Sequence, residues 1–306
     1  MPDWDAVIVG GGPAGLTAGM YLCRGNWQTL LVEKDIVGGY IVNVEFIENY
    51  PGFSEGVVGS KLAAEMKNQA LKYGLQIQRD EVNSLQVSPS SKYVTCIDGA
   101  TYSTAAVIIA GGSTPKRLGV PGEEKLMGKG IITCAFCDGG QFAGRAMAVI
   151  GGGDSGITGA LYMANIASRV ILIEAMPECT AMALLLERAV ADDKIEIRTG
   201  TQVVSIIGES EVEGIEIVDS KGKKETLDIG GVLVHVGLDP RTDYLKGVVS
   251  LDDGGQVLVN EWMEAGIPGV YAAGDIRSGS PGQVSTAVGD GAVAAMAAQR
   301  YLQTKS

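Results

Sequence analysis

One short glycine turn occurs twice in this sequence, and it leaves few folds open. The first copy lies in DAVIVGGGPAGLTAGMYLCRGNWQTLLVEK, where Gly10, Gly12 and Gly15 have the spacing G-x-G-x-x-G. In this spacing the first glycine makes a tight turn, the second lets a pyrophosphate approach the backbone, and the third lets a helix pack against a strand. Glu33 is the last residue of the next apolar run. In dinucleotide-binding folds an acidic residue at this position binds a ribose. The segment therefore predicts a strand, a helix and a strand that bind a dinucleotide.

The second copy lies in AMAVIGGGDSGITGALYMANIASRVILIE and contains Gly151, Gly153 and Gly156. Glu174 follows the first of these glycines by 23 residues, the distance that also separates Glu33 from the first glycine of the first copy. Each copy ends in a buried apolar run that leads to glycine and proline, VIIAGGSTP and VLVHVGLDP. The repetition predicts an internal duplication and an α/β fold with two Rossmann-like dinucleotide-binding domains. Two such domains in one chain usually bind a flavin and its electron donor.

The C-terminal segment adds a third feature. GVYAAGDIRSG reads as a short buried strand that ends at Asp275, and QVSTAVGDGAVAAMAAQRYL reads as an apolar helix that begins near Gln283 and Val284. The positive end of a helix dipole suits the negative pole of a reduced flavin.

The composition narrows the class of protein and of partner. A chain of 306 residues suffices for about two domains, and 46% hydrophobic residues indicate a globular protein. The net charge of −12 argues against nucleic acid or an anionic membrane as partner. No apolar run reaches the roughly 18 residues of a membrane-spanning helix, and the N-terminus has no basic leader. We therefore expect a cytoplasmic protein.

The stretch TCAFCDGG places Cys134 and Cys137 three positions apart, with Asp138 directly after them. The spacing alone allows a metal site, a structural disulfide or a redox centre. A zinc site needs a second cysteine pair or several histidines, and the single histidine, His235, lies apart in an apolar run. We expect no metal. We interpret His235 and the remaining cysteines as structural; these are Cys23, Cys96 and Cys179.

Together these pieces resemble the low-molecular-weight thioredoxin reductase family over essentially the whole chain. The matching motifs are GGGPAG, ENYPGF at 48–53, CAFCDGG, GGGDSG, and GVYAAGD with the glutamine that follows it. The resemblance implies a homodimer whose subunits bind FAD in one domain and carry a redox disulfide in the other. It predicts an FAD domain made of 1–115 and 243–306, interrupted by a smaller NAD(P)-type domain at 116–242.

The resemblance also assigns roles at the cysteines. Cys134 and Cys137 would cycle between disulfide and dithiol, with Cys137 nearer the flavin and Cys134 attacking the disulfide of a thioredoxin-like protein. Asp138 would move protons to and from the thiols, and a plain helix cap is the alternative for this side chain. The implied FAD contacts are Gly10, Gly12, Pro13, Ala14, Gly15, Glu33, Lys34, Gly39, Asn49, Val82, Gly112, Asp275, Gln283 and Val284.

One segment departs from the family. Relatives that use NADPH carry H-R-R-x-x-x-R after the second strand of the second fold, whereas this chain reads EAMPECT at 174–180. Ala175, Met176 and Thr180 replace the arginines that would clamp a 2′-phosphate, and Glu174 would repel it.

Two explanations of this departure stay open. Glu174 could bind the ribose hydroxyls of NADH. Alternatively, the second fold has lost nicotinamide binding and the electrons come from ferredoxin or a deazaflavin, which we favour. A flavin-dependent oxidase of a small dithiol metabolite is a further alternative for the overall function.

Overall fold

The computed structural model describes residues 2–88 and 91–305 and divides into two compact units. Unit 1 combines Met1–Thr114 with Asp239–Ser306, and unit 2 is the continuous segment Pro115–Leu238. The domain limits expected from the sequence, 1–115 with 243–306 and 116–242, stay a prediction.

The elements follow in chain order. The first part of unit 1 contains β1 (Trp4–Val9), α1 (Pro13–Arg24), β2 (Thr29–Glu33), α2 (Gly59–Lys72), β3 (Gln76–Arg79), β4 (Val82–Val87), β5 (Lys92–Cys96), β6 (Thr101–Ile109) and β7 (Ser113–Pro115). Unit 2 contains α3 (Glu123–Leu126), β8 (Ile131–Ile132), α4 (Ala135–Asp138), β9 (Ala146–Ile150), α5 (Asp154–Ala164), β10 (Arg169–Ile173), α6 (Ala183–Val190), β11 (Ile195–Arg198), β12 (Thr201–Ile207), β13 (Gly214–Asp219), β14 (Lys224–Asp228) and β15 (Gly231–Val234). β16 (Leu238–Pro240) begins at the last residue of unit 2 and continues into unit 1. The chain then returns to unit 1 with β17 (Val270–Ala272) and α7 (Val284–Gln303). Short 3₁₀ helices cover Gly39–Asn43, Gly139–Phe142 and Asp243–Leu245.

Unit 1 is built on one sheet with the strand order β3-β2-β1-β6-β5-β4, and β17 also pairs with β6. The strands β3, β2, β1, β6 and β17 run parallel, with Val7 opposite both Leu30 and Val107. β4 and β5 extend the sheet in antiparallel pairing. The central strands β1 and β2 are mostly apolar and largely buried because a parallel sheet is covered on both faces.

Helices α1 and α7 pack against each other at a glycine. A Cβ atom at Gly291 of α7 would lie 2.2 Å from the carbonyl oxygen of Ala14, so only glycine permits this approach. The contact brings the start of α1 close to the first half of α7. The two helix N-termini that the sequence singled out therefore belong to the same unit and the same helix pair.

Unit 2 repeats the plan with a five-stranded parallel sheet in the order β11-β10-β9-β15-β8. An antiparallel layer of β12, β13 and β14 adds a second sheet. β8 is an edge strand, and the chain leaves its carboxyl end directly into α4. The predicted α/β fold with two Rossmann-like halves is confirmed. None of the helices in the part of the chain that the structure describes has the length and apolar character needed to cross a bilayer.

Candidate functional site

The first glycine turn lies between β1 and α1. Gly10 has a φ of +105°, and a Cβ there would come within 2.3 Å of the carbonyl oxygen of Ala110. A Cβ at Gly15 would lie 1.9 Å from the carbonyl oxygen of Gly10. α1 then begins at Pro13, and no side chain caps its first amides. The turn thus leaves backbone N–H groups free at a helix N-terminus, which fits the pyrophosphate of FAD.

The buried carboxylate of Glu33 holds this turn in shape. Its Oε2 accepts a hydrogen bond from the Gly11 amide at 2.6 Å, and its Oε1 accepts one from the Asp35 amide at 2.8 Å. The Gly11 carbonyl accepts from the amide of Gly38 at 2.8 Å. The sequence predicted Glu33 as a ribose ligand, and the structure adds a role in fixing the turn that surrounds it.

Two further predicted contacts lie at the ends of β2 and β3. The ammonium of Lys34 pairs with the Glu81 carboxylate at 3.1 Å. The Asp80 amide donates to the Glu33 carbonyl at 3.0 Å, so the chain just before Val82 runs beside the end of β2. Val82 itself is half-buried at the start of β4.

A second group of predicted residues gathers around the start of α7. The side-chain amide of Asn49 donates to Oε1 of Gln283 at 2.9 Å, although 234 positions separate the two residues in the chain. Val284 packs against a small apolar cluster that includes Ile41. The N-cap residue Gln283 makes no capping hydrogen bond, so the amides at the start of α7 are also available.

Gly39 and Gly112 are the remaining predicted glycines of this unit. A Cβ at Gly39 would lie 2.9 Å from the Cα of Gly12, so the loop after β2 contacts the glycine turn. Gly112 has a φ of +62° and open space on its Cβ side. Its carbonyl accepts from the Arg241 amide at 3.1 Å.

Asp275 follows β17, and burial raises the pKa of its carboxyl group, which accepts a hydrogen bond from the Ser280 hydroxyl at 3.3 Å. The loop that carries Asp275 is held by a residue that sequence reasoning missed, Asp290 of α7. Its carboxylate accepts from the Gly274 amide at 3.2 Å and from two nitrogens of Arg277 at 2.7 and 3.1 Å. The only sequence signal is an aspartate inside an otherwise apolar, alanine-rich helix.

The second glycine turn, between β9 and α5, has the geometry of the first. Gly151 has a φ of +114°, and a Cβ at Gly156 would lie 1.8 Å from its carbonyl oxygen. Glu174 makes the same two hydrogen bonds as its counterpart, accepting from the Gly152 amide at 2.5 Å and from the Met176 amide at 2.8 Å. The duplication is therefore preserved down to individual hydrogen bonds.

The segment after β10 folds back onto this turn without bringing a cation. The amides of Thr180 and Ala181 both donate to the Gly152 carbonyl, at 3.0 and 3.1 Å. Ala175 and Met176 are exposed. On the neighbouring strand β11, the guanidinium of Arg198 is held by carboxylates; these belong to Glu196 at 2.6 Å and Glu225 at 2.9 Å.

The redox pair lies at the carboxyl end of β8. Cys134 and Cys137 form a disulfide with their Cα atoms 5.4 Å apart. Cys134 is half-buried and is the N-cap of α4, and its Sγ accepts a hydrogen bond from the Cys137 amide at 3.0 Å. Cys137 and Asp138 are exposed. Asp138 makes no capping hydrogen bond to the 3₁₀ helix that follows it, so its side chain does not act as a helix cap here.

The other cysteines and the histidine lie apart from the disulfide in the sequence, and burial is the main cause of the pKa shift of each. Burial raises the pKa of Cys23, and burial with the nearby Asp80 carboxylate raises that of Cys96 to about 12. Burial, and then Glu174, raise the pKa of Cys179. Burial lowers the pKa of His235 to about 4. Raised thiol pKa values disfavour the thiolate and hence reactivity.

Comparison with known proteins indicates the chemistry of the first glycine turn and of the Cys134–Cys137 disulfide. The profile of the pyridine nucleotide-disulphide oxidoreductase family matches residues 4–291. The thioredoxin reductase of Mycolicibacterium smegmatis is 39% identical over 300 residues, which cover 97% of this chain and 96% of that protein. The bifunctional thioredoxin reductase/thioredoxin of Mycobacterium leprae (strain TN) is 37% identical over 97% of this chain and 66% of its own length. The crystal structure of Lactococcus lactis thioredoxin reductase superposes with a TM-score of 0.96 at 32% identity, covering 99% of this chain and 100% of that one.

Proposed function

The chain belongs to the pyridine nucleotide-disulphide oxidoreductase family, in its low-molecular-weight thioredoxin reductase branch, and from that premise we propose how its FAD-dependent chemistry runs. Electrons pass from FAD to the Cys134–Cys137 disulfide and on to a thioredoxin-like protein, and the donor to FAD is not NADPH. The fusion of a reductase to a thioredoxin in the Mycobacterium leprae relative supports the choice of partner.

The observation that carries the proposal is the hydrogen bond that the Cys134 Sγ accepts from the backbone. The hydrogen bond from the Cys137 amide to the Cys134 Sγ stabilises a thiolate at Cys134 once the disulfide is reduced. A thiolate, and not a thiol, attacks a disulfide. Cys134 is therefore the nucleophile toward the partner. Cys137 is the sulfur that exchanges electrons with the flavin.

The residues of the chain complete the exchange as follows. Bound FAD supplies two electrons in its reduced form. The Cys134 thiolate attacks one sulfur of the partner disulfide, which forms a mixed disulfide and releases a partner thiolate. The Cys137 thiolate then attacks the Cys134 Sγ, restores the Cys134–Cys137 bond and releases the second partner thiolate. Asp138, exposed next to Cys137, passes protons between the thiols and water.

Exclusion of NADPH rests on the segment after β10. Ala175, Met176 and Thr180 offer no positive charge, and the guanidinium of Arg198 is already held by two carboxylates. Each charge-assisted hydrogen bond that is missing costs about 1.5–3 kcal/mol, so NADPH affinity falls by several orders of magnitude.

The test is anaerobic bleaching of the bound flavin in a stopped-flow instrument. NADPH, NADH, reduced ferredoxin and a reduced deazaflavin are offered in turn, followed by an oxidised thioredoxin. We expect no rapid bleaching by NADPH, and thioredoxin reduction with a donor of the ferredoxin or deazaflavin class. The triple variant Ala175→Arg, Met176→Arg, Thr180→Arg serves as the matched gain-of-function control. Rapid bleaching of the wild-type flavin by NADPH would contradict the proposal.

NADH is the second candidate donor, and one observation favours it. Glu174 repeats both hydrogen bonds of Glu33, so the second fold keeps a carboxylate oriented as in a turn that binds a ribose. Bleaching by NADH that is lost in Glu174→Gln, with FAD content unchanged, would select this donor.

A homodimer and a cytoplasmic location stay predictions. Sedimentation velocity of the FAD-loaded protein tests the first, since two chains of 31.8 kDa should move as one species.

A further inference from the structure

An exposed aromatic residue lies between the two redox cysteines in the sequence. Phe136 lies on α4, two residues after Cys134, and 41% of its surface is exposed. Its ring packs edge-on against Tyr162 of α5, with the ring centroids 6.1 Å apart. The ring is thus supported from one side while much of it remains open to solvent. A large apolar side chain in this position contributes little to the core, since α4 contains no buried residue.

We propose that Phe136 is a specificity-determining contact for a protein disulfide that has an apolar surface beside its cysteines. The inference rests on the proposed exchange with a thioredoxin-like protein and names the residue that selects a protein over a small disulfide.

Covalent geometry brings the partner close to Phe136. In a disulfide the two Cα atoms lie about 4.4–6.8 Å apart, so a partner cysteine bonded to Cys134 must come this close. Phe136 is two residues further along the same helical turn, within about 5–7 Å of Cys134 between Cα atoms. The backbone and side chains next to the partner cysteine therefore come within reach of the exposed Phe136 ring. A small hydrophilic disulfide has no atoms to place there.

Supported aromatic side chains of this kind are the usual anchors of protein interfaces. They present a large apolar area with few rotatable bonds, so burying them costs little conformational entropy. The edge contact with Tyr162 restricts the Phe136 ring before a partner arrives. Asp138 is also exposed and lies on the same short helix, so the surface around the disulfide carries an acidic residue. The partner that fits is apolar next to its disulfide and not acidic there.

The experiment compares two disulfides on enzyme that has been reduced beforehand with dithionite, so that the physiological donor plays no part. Reoxidation of the FAD-loaded protein is followed under anaerobic conditions with an oxidised thioredoxin and, separately, with hydroxyethyl disulfide. The variants are Phe136→Ala and the conservative Phe136→Tyr. Val190→Ala is the matched control because it also removes an exposed apolar side chain from unit 2, at the end of α6.

For Phe136→Ala we expect the half-saturating thioredoxin concentration to rise about tenfold, while the limiting rate and the rate with hydroxyethyl disulfide stay within about twofold. Phe136→Tyr and Val190→Ala should behave as wild type. If Phe136→Ala slows reoxidation equally with both disulfides, or leaves the dependence on thioredoxin concentration unchanged, the role of Phe136 is overturned while the proposed function stands. Wild-type enzyme that reduces hydroxyethyl disulfide but no thioredoxin overturns the proposed partner and the inference with it.

Discussion

The two redox cysteines share one disulfide but differ in their surroundings. Cys134 is half-buried and its Sγ accepts a hydrogen bond from the Cys137 amide, whereas the Cys137 side chain is exposed. This difference predicts that the sulfur of Cys134 bonds to the partner.

Replacing either cysteine should abolish thioredoxin turnover, yet the two variants should trap different species. Cys137→Ser keeps the Cys134 nucleophile but cannot resolve the mixed disulfide, so it should accumulate a covalent complex with thioredoxin. Cys134→Ser should trap none. Non-reducing electrophoresis and mass spectrometry detect the complex, and the FAD absorbance serves as a control, because the predicted FAD contacts lie in unit 1. Trapping through Cys137 would reverse the assignment of the two sulfurs.

His235 should make unit 2 less stable in acid. Burial lowers its pKa from 6.5 to about 4, so the unfolded chain binds more protons than the folded one between these values. The stability that neutral His235 contributes is complete above about pH 6.5 and is lost as the pH falls toward 4, up to about 3 kcal/mol.

His235→Asn should flatten this part of the pH dependence. Urea unfolding at a series of pH values gives the free energy of unfolding for wild type and variant, and their difference isolates the histidine because carboxylate titrations are common to both. Since the chain has a single histidine, no other imidazole contributes. Parallel curves for the two proteins would contradict the assignment.

At the scale of elements, the loop between β17 and α7 depends on a buried ion pair. The Arg277 and Asp290 side chains are only 16% and 9% exposed, and the carboxylate also accepts from the Gly274 amide. Removing one partner of a buried pair leaves an uncompensated charge and costs about 3–5 kcal/mol. The loop carries Asp275, so its disorder should weaken FAD binding as well as stability.

Asp290→Asn should therefore lose FAD during gel filtration and unfold at lower denaturant concentration. Arg277→Lys keeps the charge but not the two-point contact. Its FAD content and unfolding midpoint should therefore lie between those of Asp290→Asn and wild type. Asp243→Asn is the control, since it breaks the exposed Asp243–Lys246 pair of the same unit. FAD content and the unfolding midpoint are the measurements, and equal effects of Asp290→Asn and Asp243→Asn would refute a special role for the buried pair.

The strands and helices around the two glycine turns could be predicted from the sequence, because local spacing determines them. Gly10 and Gly151 adopt positive φ values that favour glycine, and in both copies an acid lies at a constant distance, at or just after the end of the next strand. The Arg277–Asp290 pair could not be predicted in the same way. Its partners are 13 residues apart and meet only because α7 packs back over the end of β17. The Asn49–Gln283 hydrogen bond likewise depends on tertiary packing, and the roles of the FAD contacts stay predictions.

At the scale of the whole molecule, each buried apolar cluster of the described chain draws its residues from one unit. The clusters centred on the first sheet and on α2 contain residues of unit 1 only. Those around the second sheet contain residues of unit 2 only. Separate cores predict that each unit folds without the other.

Independent folding of the two units can be tested because the chain passes between them at two defined places. Within unit 2 the Lys116 amide donates to the Gly237 carbonyl at 2.9 Å, and within unit 1 the Thr114 hydroxyl donates to the Asp239 carbonyl at 3.4 Å. The two crossing strands β7 and β16 pair with each other. The ends left by removing unit 2 are therefore adjacent, and a glycine-serine loop of about two to four residues can join them.

We expect residues 1–114 joined to 239–306 by such a loop to bind FAD, because the predicted FAD contacts lie in that segment, and to unfold cooperatively. Residues 115–238 alone should fold, form the Cys134–Cys137 disulfide and remain colourless. Calorimetry and visible absorbance of the two fragments, with the full chain as control, measure both outcomes. Mixing the fragments should restore little thioredoxin turnover, since the covalent link that keeps flavin and disulfide at high effective concentration is gone. A fragment of 115–238 that is unfolded by circular dichroism, or a joined unit 1 without FAD, would show that the two halves need each other to fold.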